Sequence, residues 1–214
     1  MKMIPIGNSP LLASRLAYGC WRIAERDAAP GSGRRAVLAA VDAGYTLFDH
    51  ADIYCDGGAE KVFGQVLKEV AGLRERVLLA TKCGIRKSGD PNPDSPYRYD
   101  FSAEYILRSC EGSLKRLGVE TIDLYQLHRP DYLMDPDEVA AAFVKLREAG
   151  KAREFGVSNF KPAQVAALQR ACPMAMRANQ VEISLANLTC FEDDTLDQCL
   201  AEKITPMAWS PLAG

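Results

Sequence analysis

Two hydrophobic rhythms take turns along this chain. Short runs rich in β-branched and aromatic residues alternate with longer stretches whose apolar residues return at every third or fourth position. The runs predict strands at Leu16–Cys20, Thr46–Asp49, Val77–Lys82, Thr121–His128, Glu154–Ser158, Asn179–Ile183 and Thr205–Ser210. The stretches predict amphipathic helices. Phe63, Val66, Leu67 and Val70 share one face, as do Leu107, Cys110, Leu114 and Leu117, and later Val139, Phe143 and Leu146. Boundary residues agree. Asp135 suits an N-cap, Pro136 the first helical position, and Asp137 and Glu138 the positive end of the helix dipole. Gly44, Gly118 and Gly150 fall where a left-handed residue closes a helix.

Repeating β-α units about 30 residues apart predict parallel strands joined by right-handed crossovers. An open doubly wound sheet and a (β/α) barrel both satisfy that rhythm. The polar residues favour the barrel, because nearly every strand finishes on a group capable of chemistry. These are Asp49 (with Tyr54 just beyond), Lys82, His128, Ser158-Asn159, Gln180 and Ser210. In a barrel all carboxyl ends converge on one rim, whereas an open sheet concentrates function at its switch point. The expected fold is therefore α/β of the (β/α)8 TIM-barrel type, with only seven strands apparent. Gly31-Ser32-Gly33-Arg34-Arg35-Ala36 matches a dinucleotide fingerprint, but the polar stretch Arg22–Pro30 separates it from the first strand. The tight strand–turn–helix that brings pyrophosphate to a helix N-terminus is thus missing, and loop glycines are the better account.

Composition narrows the function. The 214 residues are 48% hydrophobic and 25% charged, ordinary globular proportions, and no linker or second composition regime divides them. One domain over 1–214 is expected. With 26 basic against 28 acidic residues, the net charge of -2 offers no field for non-specific nucleic-acid or anionic-membrane binding. No apolar run approaches the ~20 residues that span a bilayer, and the N-terminus lacks the apolar region of a signal peptide. The seven cysteines are odd in number, contain no C-x-x-C pair and sit mostly in apolar patterns. Reduced thiols and a cytoplasmic location are expected.

The strand-end groups suggest carbonyl chemistry. Tyr54 could protonate a carbonyl oxygen, although a free phenol has a pKa of about 10. A cation about 4 Å away, at an effective dielectric of ~20, is worth roughly 4 kcal/mol, enough to bring that phenol near working pH. Lys82 is the candidate cation, and Asp49 would keep it charged against burial. His128 could donate a hydrogen bond to the same oxygen. The hydride must come from a nicotinamide cofactor, since no side chain supplies one. Taken singly, each residue has a plain packing explanation; four such groups on three successive β-α units aimed at one cavity do not. His50, beside Asp49, should point into the strand–helix layer. A metal-dependent hydrolase has only His50 and His128 for imidazole ligands and no H-x-H cluster.

These residues resemble the aldo-keto reductase superfamily over nearly the whole chain. Gly44-Tyr45-Thr46-Leu47-Phe48-Asp49-His50-Ala51-Asp52-Ile53-Tyr54 is similar to the first family signature, followed by Ala80-Thr81-Lys82 and by Asp123–Asp131 around His128. Gly150–Phe160 resembles the second signature, and Trp209–Gly214 the seventh-strand cofactor loop. The wording looks closer to a bacterial oxidoreductase branch than to steroid- or sugar-reducing ones. The resemblance implies Asp49, Tyr54, Lys82 and His128 as a catalytic tetrad, with Tyr54 the proton donor. It implies Ser158, Asn159 and Gln180 on the nicotinamide carboxamide, Trp209 stacked on its ring, and Ser210, Pro211 and Leu212 at the pyrophosphate. Cys20 and Trp21 would flank the ribose and substrate mouth, and Asp49 also counts among the cofactor-contacting residues. NADP(H) is the implied cofactor, with NAD(H) left open, and a small carbonyl compound the substrate. An N-terminal β-hairpin before Leu16 would cover the barrel floor.

The seventh strand is followed closely by Gly214, so the resemblance predicts a C-terminally incomplete barrel without the adenosine-binding region. Exposed strand edges and weakened cofactor binding would follow. A nicotinamide-binding regulatory module of the same fold is the alternative function, and the oligomeric state is left open. The loop Arg86–Asp100 is expected to border the pocket mouth.

Overall fold

A computed structural model describes residues 1–25 and 29–213. Residues 26–28, within the polar stretch Arg22–Pro30, and Gly214, last of the Trp209–Gly214 stretch, lie outside the described residues. An antiparallel hairpin of β1 (Met3–Pro5) and β2 (Leu12–Ser14) opens the chain, as expected. There follow β3 (Ala17–Gly19), α1 (Ser32–Asp42), β4 (Leu47–Asp49), α2 (Gly58–Glu69) and β5 (Leu78–Cys83). The short strands β6 (Ile85–Arg86) and β7 (Arg98–Tyr99) pair antiparallel at the ends of a loop. The chain continues through α3 (Ala103–Leu117), β8 (Ile122–Leu127), α4 (Pro136–Glu148) and β9 (Ala152–Ser158). It closes with α5 (Pro162–Ala171), β10 (Met176–Glu182), α6 (Thr195–Ala201) and β11 (Thr205–Trp209).

Seven strands pair in parallel in the order β3-β4-β5-β8-β9-β10-β11. All seven are the strands the hydrophobic rhythm predicts. The sheet curls into a half-barrel: Leu47 of β4 and Met207 of β11, near its two ends, belong to one interior cluster with Ala80, Leu124 and Ala178. Ile6, Leu11 and Ala13 from the hairpin close that cluster at the amino-terminal end. Two further clusters fill the layer between sheet and helices. One lies under α3, α4 and α5, where Phe143 stacks on Phe155 with ring centroids 4.3 Å apart. The other joins Val37, Phe48, Phe63, Val66 and Leu79 under α1 and α2. His50 points into this outer layer, edge-on to Phe63 at 4.9 Å.

Helix ends follow the sequence signals. The Asp135 side chain accepts from the Asp137 N–H, and Pro136 opens α4. The Gly31–Ala36 fingerprint has a packing explanation. A Cβ on Gly33 would lie 1.9 Å from the Ile23 carbonyl oxygen, so glycine is required where the loop after β3 presses on α1. All seven cysteines are unpaired. Among the described residues no helix is long and apolar enough to cross a membrane.

Candidate active site at the carboxyl ends of the strands

Side chains alternate across a strand, so the apolar floor fixes what stands above it. Leu47, Ala80, Leu124, Ala178 and Met207 point inward. The next inward positions toward the carboxyl ends are Asp49, Lys82, Gln126, Gln180 and Trp209, with His128 one step beyond Gln126. Tyr54 arrives from the β4–α2 loop. There Cys55, Asp56 and Gly57 are all left-handed, with φ of 50°, 56° and 78°, and turn the chain sharply after the tyrosine. The turn is tied down by the Lys87–Asp56 ion pair and by the Cys55 thiol donating to the Trp21 carbonyl at 3.2 Å.

Lys82 organises the site. Its side chain is 1% exposed. Its Nζ donates to both Asp49 carboxylate oxygens at 2.8 Å, to the His50 carbonyl at 2.7 Å and to the Tyr54 Oη at 3.3 Å. Three N–H donors face four acceptors, and the phenol is the farthest. Gln180 Nε2 donates to Asp49 at 3.1 Å, bringing β10 across the half-barrel to β4. Tyr54 and His128 meet edge to face with centroids 5.8 Å apart.

Electrostatics corrects one expectation. Burial pushes the Tyr54 phenol above its ordinary value, and the opposing pull of Lys82 does not overcome it. The physical reason is that the Lys82 charge is already shared with Asp49, which itself disfavours a phenolate. Burial alone would lower the Lys82 ammonium, yet Asp49 and Tyr54 together hold it above its ordinary value, so it stays charged. His128 is pushed down to about 2 by burial and by the charges of Lys82 and Arg129, and is therefore a neutral imidazole.

The remaining sequence-predicted residues divide into two groups. Ser158 Oγ donates to the Gln180 carbonyl at 2.9 Å and accepts from Asn159 Nδ2 at 2.8 Å. Asn159, left-handed at φ 63°, also donates to the His128 carbonyl at 3.2 Å, and its Oδ1 accepts from Trp209 Nε1 at 2.9 Å. These residues share one rim with Asp49, Tyr54, Lys82, His128 and Gln180. Trp21 is there too, 56% exposed, with its ring 6.4 Å from Tyr54. Cys20, by contrast, is fully buried in the layer beneath α1 and α2. Ser210, Pro211 and Leu212 form a turn after β11, with Ser210 left-handed at φ 47° and Leu212 95% exposed. Sequence reasoning passed over Gln126, although its parity between Leu124 and His128 marks it as inward. It also passed over Arg129, whose guanidinium lies 5.3 Å from the Trp209 ring centre.

A nicotinamide fits these residues. Gln126 Oε1, Gln180 Oε1 and His128 Nδ1 are buried polar atoms without a partner among the described residues, and buried acceptors of that kind await donors. A carboxamide offers two N–H groups, and Trp209 offers an aromatic face.

A half-barrel of parallel strands with charged and phenolic groups at its carboxyl rim defines a barrel-enzyme scaffold. The aldo/keto reductase family profile matches residues 15–214. A 6-dehydroglucose reductase from Novosphingobium aromaticivorans is 43% identical over 98% of this chain and 68% of its own length. The oxidoreductase YdhF from Escherichia coli is 43% identical over 94% of this chain and 67% of its own. Among solved structures, a glycerol dehydrogenase from Gluconobacter oxydans superposes with a TM-score of 0.84 at 33% identity, covering 96% of this chain and 62% of that one. The chain thus spans about two thirds of the length of these relatives. It belongs to the aldo/keto reductase family.

Proposed function

We propose that this chain reduces a small aldehyde or ketone to an alcohol with a nicotinamide cofactor, acting as one barrel domain over residues 1–214 in the cytoplasm. Family membership supports the reaction class. The observation that carries the reading is the Tyr54 Oη placed 3.3 Å from a fully buried ammonium, beside a neutral imidazole. NADP(H) is the expected cofactor, and when bound it supplies the hydride. The carboxamide would meet Gln180, Ser158 and Asn159, the ring Trp209, and the pyrophosphate the backbone of Ser210–Leu212.

Tyr54 holds the proton that the carbonyl oxygen needs. A phenol above its ordinary pKa is fully protonated at neutral pH, so the donor is always loaded. Lys82 acts later: as negative charge moves onto the phenol oxygen, the fixed ammonium stabilises it more than it did the neutral phenol, which lowers the barrier. Asp49 keeps that ammonium in place. Neutral His128 can orient the carbonyl oxygen by a hydrogen bond without competing as an acid.

Tyr54→Phe should lower reduction by about 10²–10⁴-fold while leaving NADPH binding, followed by quenching of Trp209 and Trp21 fluorescence, in place. Turnover unchanged by the substitution would remove Tyr54 as donor. Quenching without turnover in the parent chain would favour the regulatory nicotinamide-binding module instead.

A further inference from the structure

His128 is followed by a cation that no carboxylate among the described residues neutralises. Arg74, Arg86, Arg116 and Arg177 are all largely withdrawn from solvent, and each meets a carboxylate at 3.0 Å or less. Arg129 is also half-buried, yet among the described residues its guanidinium makes no hydrogen bond and no ion pair. Its partner is the Trp209 ring at 5.3 Å. Both residues wall a cleft of about 220 Å³ that also contains Glu182 and Asp193, and neither of those carboxylates reaches Arg129. A planar fork of five N–H donors, held over an aromatic face and left without acceptors, is the arrangement that binds an oxyanion bidentately.

Its place in the chain says where the oxyanion sits. Arg129 is the immediate neighbour of His128, its charge is felt there, and the His128 ring is edge-on to Tyr54. A group held by Arg129 therefore lies beside His128, in the cleft that Asn159 and Trp209 also line. We propose that Arg129 is an anion-recognising residue of this site, and that the carbonyl compound reduced carries a carboxylate or phosphate a few bonds from its carbonyl. The proposal rests on the reductase reading given above. Binding of the remote anion would orient the carbonyl toward Tyr54 and His128, so the charge contributes to rate without touching the reacting atoms. The cofactor's own phosphates are the other source of the same chemistry, and the test separates the two.

Binding is read from the fluorescence of Trp209, on which Arg129 lies, and needs no turnover. In the intact chain, 4-hydroxybutanoate should give a saturable change that butan-1-ol does not. Arg129→Met, which keeps the aliphatic bulk against Trp209, should weaken that response about 10–100-fold, and Arg129→Lys should retain part of it. In steady-state kinetics the ratio of kcat/KM for 4-oxobutanoate over butanal should fall by a similar factor in Arg129→Met. The proposal is overturned if neither 4-hydroxybutanoate nor inorganic phosphate changes the fluorescence, or if Arg129→Met responds as the parent does. It is overturned in favour of the cofactor if Arg129→Met weakens NADPH binding and leaves the carboxylate response intact. Reduction of neither aldehyde would sink the reductase reading, while the binding comparison would still decide the anion site.

Discussion

The two ends of the half-barrel use the same ingredient, a carboxylate withdrawn from water, to opposite purposes. Near the amino-terminal ends of the strands, Asp123 is 1% exposed and fully employed. It accepts from the Leu79 N–H at 2.8 Å and from Arg74 and Arg153 at 3.0 Å each, knitting β5, β8 and β9 together. Its cations reach solvent, so the charges are partly hydrated. At the carboxyl rim, Asp49 is paired with an ammonium that has no exit to water, and Gln126 Oε1, Gln180 Oε1 and His128 Nδ1 find no partner among the described residues. A satisfied network holds a fold together; an unsatisfied one with a fixed charge is prepared to receive something. The difference lies in unmet hydrogen-bonding capacity, not in residue type.

Removing the cation at each end should break the comparison most clearly. Lys82→Met leaves Asp49 buried with only the Gln180 amide, so stability should fall by about 3–5 kcal/mol in urea denaturation, and carbonyl reduction should be lost with it. A loss under 1 kcal/mol would mean that Asp49 is far better hydrated than its burial indicates.

The next effect is a pH dependence. His50 is held down to about 3, by burial first and then by Lys82, and His128 down to about 2. Between the ordinary value near 6.5 and those values, the unfolded chain binds protons that the folded chain refuses. Stability is therefore present above pH 6.5 and lost as pH falls, by about 1.4 kcal/mol per pH unit for each histidine. Asp52 works the other way. Burial, and then Glu60, raise its carboxyl to about 7, so the folded chain holds an extra proton from about pH 4 to 7. His50→Leu should remove one histidine's share. The stability difference between pH 7 and pH 5 should shrink by about 2 kcal/mol relative to the parent. An unchanged difference would mean that His50 protonates in the folded state.

Smallest is the floor counterpart of the first substitution. Arg153→Met leaves Asp123 with the Leu79 N–H and Arg74, and Arg153 is itself half exposed, so its loss should cost about 0–1 kcal/mol, readable as a small shift in the urea midpoint. A cost approaching that of Lys82→Met would erase the distinction between the two ends.

The strands were legible because each carries its own hydrophobic rhythm. They differ from expectation only at their ends, as where Leu16–Cys20 pairs over Ala17–Gly19. The β6–β7 hairpin was not legible. Two residues on each side are too few for alternation, and the loop is closed by Arg86, which bonds Asp90 four residues on and reaches across to Asp100. The site shows the same division. Asp49, Lys82, His128 and Gln180 stand at strand ends and could be found by position. The direction of the Tyr54 shift could not, because burial of the phenol, with Asp49 beside it, outweighs the pull of Lys82, and burial is set only when the sheet curls.

By itself, the sequence determined the alternating elements and marked Asp49, Lys82, His128 and Gln180 as groups at strand ends. Periodicity and strand parity are local properties, and they carry those facts. Only the tertiary structure decided which polar groups are satisfied: Asn159 bound to Trp209, Cys20 turned into the outer layer, Arg129 over the Trp209 ring with no carboxylate on it among the described residues. Hydrogen-bond completion depends on groups brought together from distant β-α units. No local pattern reports what a side chain will find when the sheet curls.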